Sequence, residues 1–168
     1  IPLKFNDNER CFELDEVTLE AAANGVERLR MIVVNSPSNP TGWTITPEQQ
    51  KKLLALSQQH DAYLLTDEIY GRILSPTASF ESWVPYLAEW EKLIIINGFS
   101  KAYCMTGWRV GYLIAEPNLA NEMARMQEFV TSHAPSAAQV AAITALEKGE
   151  EFVANSHERY QQLRMLVT

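Results

Sequence analysis

The run Met31-Ile32-Val33-Val34-Asn35-Ser36-Pro37-Ser38-Asn39-Pro40-Thr41-Gly42 decides how the rest of the chain is read. Its first five residues are short, largely apolar and β-branched, the mark of a buried strand. The seven that follow hold two prolines and a glycine, which exclude helix interior and central strand alike. A strand therefore runs into a stiff loop that carries Asn39. The same pattern recurs twice downstream. Ala62–Thr66 is a second apolar run, ending at Asp67-Glu68-Ile69-Tyr70-Gly71, and Leu93–Asn97 is a third, ending at Gly98-Phe99-Ser100-Lys101. Arg109–Ala115 reads as a fourth strand.

Helical patterns separate the strands. Thr46-Pro47-Glu48-Gln49 is a helix start: Thr46 caps, Pro47 suits the first helical position and Gln49 completes a capping box. Leu53, Leu54 and Leu56 carry the apolar stripe to about His60, a residue placed to interact with the helix dipole at its carboxyl end. Upstream, Asp15 caps a pattern running to about Ala23, which Asn24-Gly25 stops. Ile1–Glu13 is too mixed to assign. Ser75–Trp90 is a polar, proline-bearing excursion. Helices fill most of Pro117–Thr168, with breaks near Ala134-Pro135 and Gly149. Short apolar strands alternating with amphipathic helices predict an α/β fold with a mainly parallel sheet covered by helices on both faces. Ligands in such sheets sit beyond the carboxyl ends of the strands. Asn39, Asp67 and Lys101 are thus expected to converge on one edge.

Composition narrows the partners. At 168 residues the chain fits one domain. Its net charge of -7 gives no basic footprint for nucleic acid or an anionic membrane. Its apolar runs are too short for a bilayer, which needs roughly 20 residues. Cys11 and Cys104 match no metal or redox spacing, and His60, His133 and His157 suggest no metal site. A reducing, cytoplasmic compartment is expected. The chain opens at Ile1 and ends within a helical pattern, so it is expected to be a piece of a longer protein.

Taken singly, the candidate residues have ordinary explanations. Most lysines are solvated, yet burial at a strand end favours the neutral amine that attacks carbonyls. Asp67 is equally well a helix cap or a buried anion facing a cation. Arg109 offers a fork suited to phosphate, or a salt bridge. Asn39 serves a turn, or an amide aimed by its prolines. Tyr70 is a hydrogen-bond donor or a half-buried aromatic. Together they describe one ligand: an aldehyde cofactor needing an amine, a carboxylate at its ring nitrogen, donors to its phenolic oxygen and a cation on its phosphate. That cofactor is pyridoxal 5′-phosphate.

Three motifs carry a resemblance. Ser38-Asn39-Pro40-Thr41-Gly42, Asp67-Glu68-Ile69-Tyr70 and Ser100-Lys101-Ala102-Tyr103-Cys104-Met105-Thr106-Gly107-Trp108-Arg109-Val110-Gly111 occur in the order found in class I/II aminotransferases. These are fold-type I pyridoxal-phosphate enzymes, and the sequence resembles the central part of one. The resemblance implies that residues 1–168 form an incomplete cofactor-binding large domain, without the family's N-terminal segment and C-terminal small domain. It implies that Lys101 forms the imine with the cofactor and then shuttles the substrate proton. Asp67 would pair with the pyridine nitrogen, Asn39 and Tyr70 would bond the phenolic oxygen, and Arg109 would hold the phosphate. Ser100 would help there, although the family often has a hydroxyl where this sequence has Gly98. The implied reaction moves an amino group from an amino acid to a 2-oxo acid, in a homodimer. A lyase of the same fold (carbon–sulfur or aminocyclopropane-carboxylate synthase-like), which shares the three motifs, and a non-catalytic aminotransferase-like regulatory domain are the alternatives.

Overall fold

In the computed structural model, residues 2–74 and 78–166 are described. A hairpin of β1 (Leu3–Asn6) and β2 (Cys11–Leu14) precedes α1 (Glu16–Asn24). Asp15 caps α1 by accepting from the Thr18 amide at 3.0 Å and the Thr18 hydroxyl at 2.9 Å. Then come β3 (Met31–Asn35), α2 (Pro47–Gln59), β4 (Tyr63–Asp67), β5 (Leu93–Gly98) and β6 (Gly111–Ile114). The chain continues with α3 (Pro117–Val130), α4 (Ser136–Lys148) and α5 (Glu150–Arg164). The breaks between these helices fall where the prolines and Gly149 predict them. The capping box at Thr46 and Gln49 forms in both directions, and His60 is the C-cap of α2.

The main sheet has the order β3-β4-β5-β6. The first three strands are parallel and β6 runs antiparallel to β5. Register divides the side chains between two faces. Ile32 aligns with Leu64 and Leu93, and Val34 with Thr66 and Ile95. This face packs on Leu53, Leu54 and Leu56 of α2, together with Trp43, Ile45 and Trp83. Each such leucine taken fully out of water contributes about 1.5–3 kcal/mol. The opposite face carries Val33, Leu65 and Ile94, then Asn35, Asp67 and Ile96. There the cover is partial: Met31 and Val33 stay 41% and 50% exposed.

The fourth strand is shorter than its sequence pattern, and two stretches outside the strand–helix pattern acquire structure. Within the mixed opening stretch, residues 3–14 form the β1–β2 hairpin. The fourth strand starts at Gly111 because Thr106–Trp108 is a 3-10 turn and Arg109 follows it with φ 53°, outside strand geometry. In the excursion, whose residues 75–77 lie outside the described set, Val84–Ala88 is a 3-10 turn and Trp83 is fully buried. Trp43 is buried too, in keeping with a packing role.

Candidate functional site

Parallel register brings the three loops out at one edge. Asn35 stands beside Asp67, and Asp67 beside Ile96. The Ser36 amide donates to the Asp67 carbonyl at 3.2 Å and the Glu68 amide to the Ile96 carbonyl at 2.9 Å. The alignment thus extends one residue beyond the sheet.

The loop after β3 is held tightly. The Ser38 amide donates to the Trp43 carbonyl at 2.9 Å and the Gly42 amide to the Ser38 carbonyl at 2.8 Å. Gly42 has φ 72°, a conformation that a side chain disfavours. The buried Ser36 hydroxyl accepts from the Ile45 amide at 2.8 Å. So braced, the loop aims Asn39, whose Nδ2 donates to the Tyr70 hydroxyl at 3.0 Å. The Lys101 ammonium lies 5.2 Å from the centroid of the Tyr70 ring, within cation–π range. The Asn39 hydrogen bond holds the Tyr70 phenol below its ordinary value, and Lys101 acts in the same direction; burial and the Asp67 charge oppose them. Asn39, Tyr70 and Lys101 are brought into contact, with Asp67 close enough for its charge to act on Tyr70.

Asp67 closes β4, and its Oδ1 accepts from the Ile69 amide at 3.1 Å. The segment after it is a turn, not a capped helix: the Gly71 amide donates to the Glu68 carbonyl at 2.8 Å. The Lys101 turn is anchored from below. Phe99 and Met105 are buried against Ala138 and Ala142 of α4. Arg109 Nη1 donates to the Thr106 carbonyl at 3.0 Å, and Thr106 Oγ1 donates to the Ser100 carbonyl at 3.0 Å. Arg109 and Ser100 are therefore tied to one turn, although no direct bond joins Arg109 to Asn39, Tyr70 or Asp67 among the described residues. Gly98 has a steric reason: a Cβ there would lie 3.1 Å from the Gly111 Cα and 3.3 Å from the Val110 carbonyl oxygen. An open cleft of about 380 Å³ beside this turn is lined by Cys104, Gly107, Trp108, Pro135 and Ala138, but by none of the four residues at the strand ends.

Sequence reading missed Glu68 and Thr106. Thr106 follows the Lys101 segment without periodicity to mark it, and Glu68 is masked by its acidic neighbour.

A family model described as aminotransferase class I and II matches residues 4–168. The chain belongs to that family. The cofactor of class I and II aminotransferases is pyridoxal phosphate. Among curated aminotransferases, the chain is 35% identical over 156 residues to the asparagine–oxo-acid transaminase of Streptococcus mutans serotype c, covering 92% of this chain and 39% of that protein. The solved aromatic aminotransferase from Pyrococcus horikoshii OT3 superposes with a TM-score of 0.83 at 29% identity, over 95% of this chain and 43% of that one. A carbon–sulfur lyase from Staphylococcus hominis, solved with the cofactor bound, superposes with a TM-score of 0.82 at 22% identity, over 94% of this chain and 39% of that one, a likeness of fold. The chain thus spans about 40% of the length of the aminotransferases it matches.

Proposed function

We propose that this chain is the cofactor-binding large-domain part of a pyridoxal-phosphate-dependent aminotransferase that moves an amino group from an L-amino acid to a 2-oxo acid. The observation that carries the reading is the Asn39–Tyr70–Lys101 contact at the ends of β3, β4 and β5, beside Asp67. This donor set fits the cofactor: an amine, an anion and an amide–phenol pair at one edge, and a guanidinium on the next turn. When bound, the cofactor supplies an aldehyde that captures amines and a ring that accepts the electron pair left at the substrate α-carbon.

The protein side of the chemistry follows from the residues. Lys101 Nζ would be the amine that holds the aldehyde, and the same nitrogen would carry the α-carbon proton. Asp67 stabilises positive charge on the ring nitrogen, because a fixed adjacent anion favours the cationic form. Asn39 donates to Tyr70, and the pair supplies hydrogen bonds to the phenolic oxygen. Arg109 binds phosphate, with Ser100 as a lesser donor on the same turn. The expected homodimer belongs to this reading.

The experiment supplies the whole protein with an amino acid and a 2-oxo acid and follows the new amino acid. Transfer that requires the 2-oxo acid supports the reading. Release of ammonia and pyruvate without an acceptor overturns it in favour of a lyase. Absence of any turnover with cofactor bound would favour a regulatory domain.

A further inference from the structure

Glu68 lies between Asp67 and Tyr70, yet its side chain turns into the interior and is 4% exposed. A buried carboxylate is unfavourable unless donors surround it. Here Ser82 Oγ lies 3.1 and 2.8 Å from its two oxygens, and the Trp83 amide donates to Oε1 at 2.7 Å. Those donors are themselves fixed. Ser82 Oγ accepts from the Val84 amide at 3.2 Å, and Trp83 is fully buried in the core. The backbone of Glu68 is committed as well: its amide donates to Ile96 of β5, and its carbonyl accepts from Gly71 in the turn that bears Tyr70. A second contact backs the same turn. A Cβ on Gly71 would lie 2.7 Å from the Phe80 ring, so the ring already rests on the turn.

We propose that Glu68 is a positioning residue: by gripping Ser82 and Trp83 it fixes the turn that presents Asp67 and Tyr70. The Asp67 carboxylate cannot supply this grip, since it projects from the sheet edge toward the Ile69 amide. Burial pushes the Glu68 carboxyl up, opposed by the Trp83 and Ser82 bonds, with Asp67 adding to the rise. An ionisable group held at that disadvantage is explained by the two donors it orients. Its consequence for the cofactor rests on the reading given above; its effect on the turn does not.

The test uses the phenol of Tyr70 as a local gauge, titrated in cofactor-free protein by carbon-13 tyrosine resonance and assigned with Tyr70→Phe. In Glu68→Ala the Tyr70 phenol is expected to move up toward its ordinary value as the Asn39 bond loosens. Affinity for pyridoxal phosphate is expected to fall about tenfold, the scale of a lost hydrogen bond to a charged group. Glu68→Gln, which keeps the size and one acceptor, is expected to lie between. Should Glu68→Ala not fold, Ser82→Ala carries the test and moves both readouts the same way by less. Wild-type Tyr70 titration and cofactor affinity in a folded Glu68→Ala or Ser82→Ala protein would overturn the proposal. If the wild-type protein captures no pyridoxal phosphate on Lys101, the cofactor reading fails, and the Tyr70 titration alone decides the positioning role.

Discussion

Tyr70 is the residue on which the strand-end loops act together, through an amide on its oxygen, an ammonium over its ring and a nearby carboxylate. Because the Asn39 bond is the largest of these influences, Asn39→Ala is expected to raise the Tyr70 phenol toward its ordinary value. A tyrosinate titration unchanged by the substitution would contradict that. The proposed roles divide at the residue scale too. Asp67→Ala is expected to lower turnover about 10²–10³-fold, the effect of removing one preorganised electrostatic group, with less loss of cofactor affinity. Arg109→Ala is expected to do the reverse. Turnover and cofactor affinity measured in both whole-protein variants check this, and equal losses of both quantities in both would sink the division. Asn39, Asp67, Tyr70 and Lys101 were legible because each follows a strand-like run, and parallel strands expose their carboxyl ends together. Glu68 was not. Two adjacent acids look alike in sequence, and only the tertiary position of Ser82 and Trp83 decides which one is buried.

Elements explain how those residues are held. The Thr46 hydroxyl accepts from the Gln49 amide at 3.2 Å and Gln49 Oε1 accepts in return from the Thr46 amide at 3.1 Å. Thr46→Ala is therefore expected to cost about 1 kcal/mol, read as a lower urea midpoint; an unchanged midpoint would show that the cap contributes nothing. The turn after β4 gives a pH signature. The folded-state pKa of Glu68 is raised above its ordinary 4.5. Below that value the group is protonated in both states, and its stability contribution is fully present. As pH rises through the raised folded value, that contribution is lost. Relative to Glu68→Gln, the wild type should thus lose stability from about pH 4.5 upward. Asp67 adds to the rise that burial causes in Glu68; burial likewise raises the Tyr112 phenol on β6, and the Glu68 charge adds to it. A pH-independent difference between the two urea midpoints would contradict this. Capping and periodicity made α1 and α2 legible from local residues. The direction of β6 was not, because residues 99–110 are about long enough for a parallel crossover. What turns the chain back is the close Gly98–Gly111 approach together with the burial of Phe99 and Met105 on α4.

Across the whole molecule, the packing is one-sided. The face of the sheet against α2 holds the main core, while the other face and α3 leave apolar side chains open, Phe129 at 92% exposure. A sequence pattern reports which residues are apolar but not which neighbour covers each of them, so the extent of cover on either face was not legible from periodicity. No helix among the described residues is long and apolar enough to cross a membrane. The proposed cofactor chemistry rests on one nitrogen among six lysines. Lys52 and Lys92 are engaged with Glu16 and Asp61, whereas Lys101 stands over Tyr70 at the strand ends. The direct test is to add pyridoxal phosphate to the whole protein, reduce with borohydride and map the adduct by peptide mass spectrometry. Modification confined to Lys101 and abolished in Lys101→Ala is expected; adducts spread over Lys4, Lys51, Lys52, Lys92 and Lys148, or none at all, would contradict the proposed role of Lys101.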